Sequence, residues 1–226
     1  MAPMATTAKN AMVFLLLALL PLAAVSSRAG PSSAAHKSHG HGHGPKHVHP
    51  SPPSSSPPPA AAAALVRATC NSTAYPDLCV SALGADPSSA TADVRGLSAI
   101  AVSAAAANAS GGAATAAALA NGTAPEGTAA GGGDATVQAL LRTCAAKYGE
   151  ARDALAAARE SIAAQDYDFA AVHVSAAAEY PQVCRALFRR QRPGQYPAEL
   201  AAREEALRQL CSVALDIIAL LANTSG

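Results

Sequence analysis

Tryptophan is absent from this chain, and three phenylalanines and five tyrosines are its only aromatic residues besides histidine. Deep ligand cavities are lined by large aromatic side chains, so the chain has little material for one. Charge is scarce too, at 14% of residues and a formal net charge of +1. From Ala60 onward 12 Lys plus Arg stand against 15 Asp plus Glu, a net charge of minus three. That is too mild for nucleic-acid binding through a basic face. No segment after Val25 reaches the roughly 20 apolar residues that a membrane-spanning helix needs. Signatures of chemistry are missing as well. Gly131-Gly132-Gly133 precedes a helical pattern, but no Gly-Lys-Ser/Thr accompanies it to cradle a phosphate. No Glu-x-x-His pair could hold two irons in a helical bundle, and His173 is the only histidine after residue 59. The sequence nominates no catalytic residue, no metal ligand and no cofactor, and points to a protein that acts by binding.

What is present begins with an export signal. Lys9 precedes an apolar run from Ala11 to Val25, and Ser27-Arg28-Ala29 offers small residues for cleavage before Gly30. Residues 1–29 are therefore expected to be a secretory signal peptide, leaving no membrane attachment after cleavage. The mature chain then meets an oxidising compartment, where cysteines pair. Residues 30–59 are rich in Pro, Ser, His and Gly and hold six of the seven histidines. Without apolar periodicity they cannot bury a core and are expected to form an extended tether. Alternating imidazoles there could bind Zn, Cu or Ni weakly. A solvated spacer is the plainer expectation.

Residues 60–226 carry the helical pattern. Ala60–Thr69 reads as a short helix, and Pro76 takes the first position of another. Thr91 is the expected N-cap of a helix carrying Val94, Leu97, Ile100 and Val102, weakened at Gly111-Gly112. After a Gly-rich loop to residue 133, Val137, Leu140, Leu141, Cys144, Tyr148, Ala151, Leu155, Ala158 and Ile162 recur at three-four spacing. Past a break at Gln165–Asp168, Phe169, Val172, Ala176, Tyr180, Val183 and Leu187 are expected to line the inner face of the next helix, kinked at Pro181. The last helix places Leu200, Leu207, Leu210, Cys211, Ala214, Ile217, Ile218 and Leu221 on one side and Arg203, Glu204, Arg208 and Asp216 on the other. The spacing predicts an all-α fold, an up-down-up-down four-helix bundle preceded by a small helical hairpin.

Five cysteines leave two bridges and one thiol. The midpoint of Cys144 and Cys184 is position 164, at the break between two helices, so an antiparallel hairpin sets these sulfurs level with one another. Cys70 and Cys79 flank a turn and form the economical second pair. Cys211 remains a free thiol on an apolar face, where cysteine behaves as a small hydrophobe. Sequons at Asn71, Asn108, Asn121 and Asn223 are glycosylation candidates in a secreted chain. Arg185, Arg189, Arg190 and Arg192 suit the negative end of a helix dipole.

Four stretches together resemble one known family. They are Cys70-Asn-Ser-Thr-Ala-Tyr75-Pro76-Asp-Leu-Cys79-Val80, Leu140-Leu141-Arg142-Thr143-Cys144-Ala-Ala-Lys147-Tyr148, Val174-Ser175-Ala176-Ala177 running on to Cys184, and Leu207-Arg208-Gln209-Leu210-Cys211-Ser212-Val213-Ala214-Leu215. The combination is similar to the plant invertase and pectin methylesterase inhibitor domain, over roughly residues 64–223. The resemblance implies a monomeric four-helix bundle with bridges Cys70–Cys79 and Cys144–Cys184, secretion to the apoplast and cell wall, and non-covalent one-to-one docking over an enzyme's substrate cleft. The partner it implies is pectin methylesterase or acid invertase. Invertase-directed members use a short Pro-Lys-Phe, which this chain lacks, and that favours pectin methylesterase. Arg152, Arg159 and Glu160 on the long hairpin are candidate partner contacts. A different reading is a structural or metal-buffering wall protein acting through the His/Pro tether.

Overall fold

The computed structural model describes residues 59–122 and 134–224. The expected signal peptide, nearly all of the tether and the glycine run at 131–133 lie outside them. Six helices occupy the described residues: α1 Pro59–Cys70, α2 Pro76–Gly84, α3 Val94–Ala120, α4 Ala135–Ala163, α5 Tyr167–Gln191 and α6 Ala198–Thr224, with a short 3₁₀ turn at Pro87–Ala90.

Aspartates open three of the long helices. Asp93 Oδ1 accepts from Gly96 N at 2.7 Å, Asp134 Oδ1 from Thr136 N at 2.8 Å, and Asp166 Oδ1 from Phe169 N at 3.2 Å. Each satisfies a backbone donor that the first helical turn leaves unpaired. Thr91, the expected cap of α3, instead closes the 3₁₀ turn, donating to Ser88 O at 3.3 Å. Asp93 takes the role because it stands directly before the helix with extended backbone.

The four long helices close a ring in which α3 packs on α4 and α6, and α5 packs on the same two. Gln165, with φ of 61°, reverses the chain between α4 and α5. The Cys144–Cys184 bridge then joins the two helices level with one another, with Cα atoms 5.0 Å apart. Leu97, Leu141, Leu155, Ile162, Leu200, Leu207, Ile217 and Ile218 fill the centre with almost no exposure.

Helix α3 runs unbroken through Gly111 and Gly112, so the expected weak point is absent. The glycines make room for a neighbour. A Cβ at position 112 would press into the edge of the Tyr148 ring, 2.9 Å from its Cγ and closer still to two other ring carbons, and one at 111 would meet the guanidinium of Arg203. Tyr148 is thereby sealed between helices, fully buried, its hydroxyl donating to Leu200 O at 3.1 Å. Burial pushes the Tyr148 phenol far above its ordinary range.

The inner face of α5 also differs from expectation. It is built from Ala170, Val174, Ala177, Pro181, Cys184 and Phe188, all buried, while Phe169, Val172 and Val183 face outward. Mostly small inner residues let α5 approach its neighbours closely; Phe188 is the one bulky side chain inside. The helix continues through the buried Pro181.

Helices α1 and α2 form the small hairpin, joined by Cys70–Cys79 with Cα atoms 5.4 Å apart. Ala74 N donates to Asp216 Oδ2 at 2.8 Å, and Arg208 Nη2 donates to the Tyr75 hydroxyl at 3.2 Å. The charged side of α6 is thus where the hairpin docks. Glu204, also assigned to that face, is 8% exposed. Its Oε2 accepts from Arg185 Nε at 3.0 Å and from the Tyr196 hydroxyl at 2.9 Å, tying α5 to α6 across their connection. Cys211 is a buried free thiol whose desolvation pushes it up to about 12, beyond ready thiolate formation.

Candidate docking face on α4 and α5

Large apolar residues that remain exposed mark where a folded chain is unfinished. Among the described residues these are Val80, Phe169, Val172 and Val183, and three of the four lie on α5. Phe169 and Val172 are 61% and 62% exposed. With the half-buried Ala176, Tyr180 and Leu187 they recur at three-four spacing, so they form one stripe along the outside of the helix.

The stripe borders α4. Lys147 Nζ lies 5.8 Å from the centroid of the Tyr180 ring and donates to both carboxylate oxygens of Glu150, at 2.9 and 2.7 Å. The apolar line therefore has a polar edge held in place from the neighbouring helix.

Arg152, Arg159 and Glu160, the sequence-nominated contacts, are all exposed on α4. Arg152 follows Tyr148 by four residues and Arg159 follows Arg152 by seven, so both sit on the flank that turns toward α3. Arg152 Nη2 pairs with Asp153 at 2.7 Å. The structure does not bring these arginines to the apolar stripe. Glu160 points outward between the two flanks. Sequence reasoning missed Phe169, Val172 and Val183 as surface residues because it had placed them inside.

Two of the four clustered arginines are internal ties. Arg185 holds Glu204, and Arg192 Nε pairs with Asp134 Oδ2 at 2.9 Å. Among the described residues no group of three His, Cys, Asp or Glu side chains is arranged to hold a metal.

Residues 64–217 match the family described as "Plant invertase/pectin methylesterase inhibitor". The chain belongs to this family. It is 70% identical to the rice (Oryza sativa subsp. japonica) protein "Pectinesterase inhibitor 28", over 95% of this chain and 92% of that one. It is 37% identical to "Cell wall / vacuolar inhibitor of fructosidase 2" of Arabidopsis thaliana, over 68% of this chain and 81% of the relative. A "Pectinesterase inhibitor" from Actinidia deliciosa is 30% identical over 70% and 79% of the two chains. The fold is also that of a solved mutant pectin methylesterase inhibitor from Arabidopsis, with a TM-score of 0.52, 22% identity, and coverage of 67% of this chain and 93% of that one.

In this inhibitor-family chain the sequons avoid the stripe. Asn71, Asn121 and Asn223 are exposed beyond α4 and α5, and Asn108 lies within α3 with its Oδ1 buried and unpartnered. Two of the charged ties stay ionised well into the acid range. Hydrogen bonding to Arg192 and to the Thr136 amide holds Asp134 down to about 2, and Arg208 and Gln209 hold Glu205 down to about 2. A carboxylate with a lowered folded pKa stabilises above its unfolded pKa, about 4, and that stability is lost as pH falls toward 2. The expected result is a thermal midpoint insensitive to these two groups between pH 7 and 5, falling below pH 4. In Asp134→Asn the acid-side fall should be shallower; an unchanged acid limb in a melting series would remove Asp134 from this role.

Proposed function

We propose that this chain is a secreted, non-enzymatic inhibitor of a plant pectinesterase, docking one to one over the enzyme's substrate cleft. The observation that carries the docking reading is the exposed apolar stripe of α5, Phe169, Val172 and Val183, edged by Lys147, Glu150 and Tyr180. A helix face of this kind excludes water from a shallow cleft and fills it without chemistry. Support for the target class comes from the rice relative named a pectinesterase inhibitor, which matches nearly the whole chain. The absence of Pro-Lys-Phe weighs the same way. The sequons leave this face free of attached sugar, as a docking surface requires.

In this reading residues 1–29 direct secretion and are removed, residues 30–59 are a spacer, and the bundle acts as a monomer in the apoplast. The relative named for fructosidase inhibition supports a second reading, with an acid invertase as target. The oxidised, purified protein, assayed in parallel against a plant pectinesterase and an acid invertase at mildly acidic pH, separates them. Loss of pectinesterase activity alone is the expected result. Loss of invertase activity alone would move the target to the second class.

A further inference from the structure

Val80, the fourth exposed large apolar residue, lies away from α5, in a groove of about 300 Å³ on the small hairpin. Three elements line it: α1 with Ala62 and Val66, α2 with Val80 and Gly84, and the 3₁₀ turn with Ser89 and Ala90. The Cys70–Cys79 bridge and the packing of both helices on the turn hold these walls in place. The groove is open because most of its lining side chains are small. A Cβ added at Gly84 would meet nothing within 4 Å. Pockets for small molecules begin at about this volume, and they are apolar with a few polar groups that orient the ligand.

The orienting group here is Arg67. It lines the same groove and is exposed, and among the described residues no carboxylate forms an ion pair with it. Asp86, the acid that opens the turn, is taken up by Ser88, whose amide and hydroxyl donate to its Oδ1 at 2.9 and 2.6 Å. An apolar lining with one unpaired guanidinium is complementary to an apolar body that ends in one carboxylate. A flat ring suits such a groove better than a flexible chain, because the chain loses more rotational freedom on binding.

We propose that this groove binds a small aryl monocarboxylate, with its ring between the apolar side chains of α1 and α2 and its carboxylate on Arg67. The site belongs to the hairpin and stands whether or not the α5 stripe is the inhibitory face. Bound acid ties α1, α2 and the turn together and so stabilises the hairpin.

The probe is trans-cinnamate, with cinnamyl alcohol as the same body without charge and acetate as the charge without the body. Binding to the mature, oxidised chain is read at neutral pH from amide shifts in heteronuclear spectra. Cinnamate should bind with a Kd of about 1 mM or tighter, about fivefold or more below that of the alcohol, and acetate should not bind. The shifts should centre on Ala62, Val66, Val80 and Gly84. Arg67→Gln should weaken cinnamate about fivefold and leave the alcohol unchanged, whereas Val80→Glu should weaken both. Circular dichroism checks that the variants are folded, and the comparison of acid with alcohol on the wild-type chain needs no variant. No binding of cinnamate, equal binding of acid and alcohol, or shifts centred elsewhere would overturn the proposal. A chain that fails to bind cinnamate and sediments as a dimer, becoming monomeric in Val80→Glu, would give the groove to a second copy and overturn it as well.

Discussion

Gly112→Ala should destabilise the protein by about 1–3 kcal/mol, although alanine is the better helix former by about 1 kcal/mol. The sign reverses because the added methyl has nowhere to go. It would collide with the ring edge of Tyr148, a side chain with no exposure and with its hydroxyl fixed on Leu200 O. Neither partner is the loose end of a flexible chain. Gly149→Ala is the matched control, since position 149 is also inside a long helix but has nothing within 4 Å of an added Cβ. There the exchange should stabilise by about 0.5–1 kcal/mol. Gly111→Ala falls between them, because the Arg203 guanidinium it meets can swing away into solvent. Removing the other half of the lock, Tyr148→Ala, should cost about 3–5 kcal/mol by leaving a ring-sized cavity where α3, α4 and α6 meet. Denaturant midpoints of the four variants decide the matter. Gly112→Ala as stable as Gly149→Ala would mean the two helices are not packed at this closeness.

Replacing Cys144 and Cys184 together by alanine should lower stability by about 4 kcal/mol, against about 2.5 kcal/mol for the Cys70 and Cys79 pair. The difference follows from the chain closed by each bridge, with separations of 40 and 9 residues. A longer loop removes more conformations from the unfolded ensemble. The long bridge also clamps α4 to α5, the two helices that frame the docking face. Unfolding of the two double variants under identical conditions gives the comparison. A larger loss from the short-loop pair would show that hairpin docking through Asp216 and Tyr75, rather than chain entropy, dominates.

Much of this architecture was legible in the residues. The three-four spacing from Val137 to Ile162 is the buried face of α4 without exception, because its inward residues are mostly large and apolar. Cysteine arithmetic placed both bridges, since a helical hairpin leaves little freedom in which residues stand level. Two causes account for what failed. On α5 the eye follows Phe169, Val172 and Val183, but close packing puts small residues along most of the inner face, with Phe188 the one bulky side chain inside. Cys184 held the correction, for a bridged cysteine must face its partner, and counting three and four from it gives Val174, Ala177, Pro181 and Phe188. Gly111-Gly112 was misread likewise, as a weakness of propensity when it is a slot for a ring. Glu204 was placed outside because charge usually is, and nothing in its local sequence announces the Arg185 and Tyr196 that hold it. The candidate site was therefore less legible than the fold, since it consists of residues that pattern alone assigns to the core.

The central claim is that the outer stripe of α5 is the inhibitory face. Its most direct test is a titration of a plant pectinesterase with three proteins: the wild-type chain, Phe169→Glu/Val172→Glu, and Arg152→Glu/Arg159→Glu. The stripe variant should lose about thirtyfold or more in inhibitory potency while remaining folded, since a charge buried against a cleft goes unpaired. The arginine variant, on the flank toward α3, should inhibit within a few-fold of wild type. Full potency in the stripe variant together with loss in the arginine variant would contradict the account and move the contact to the other side of α4.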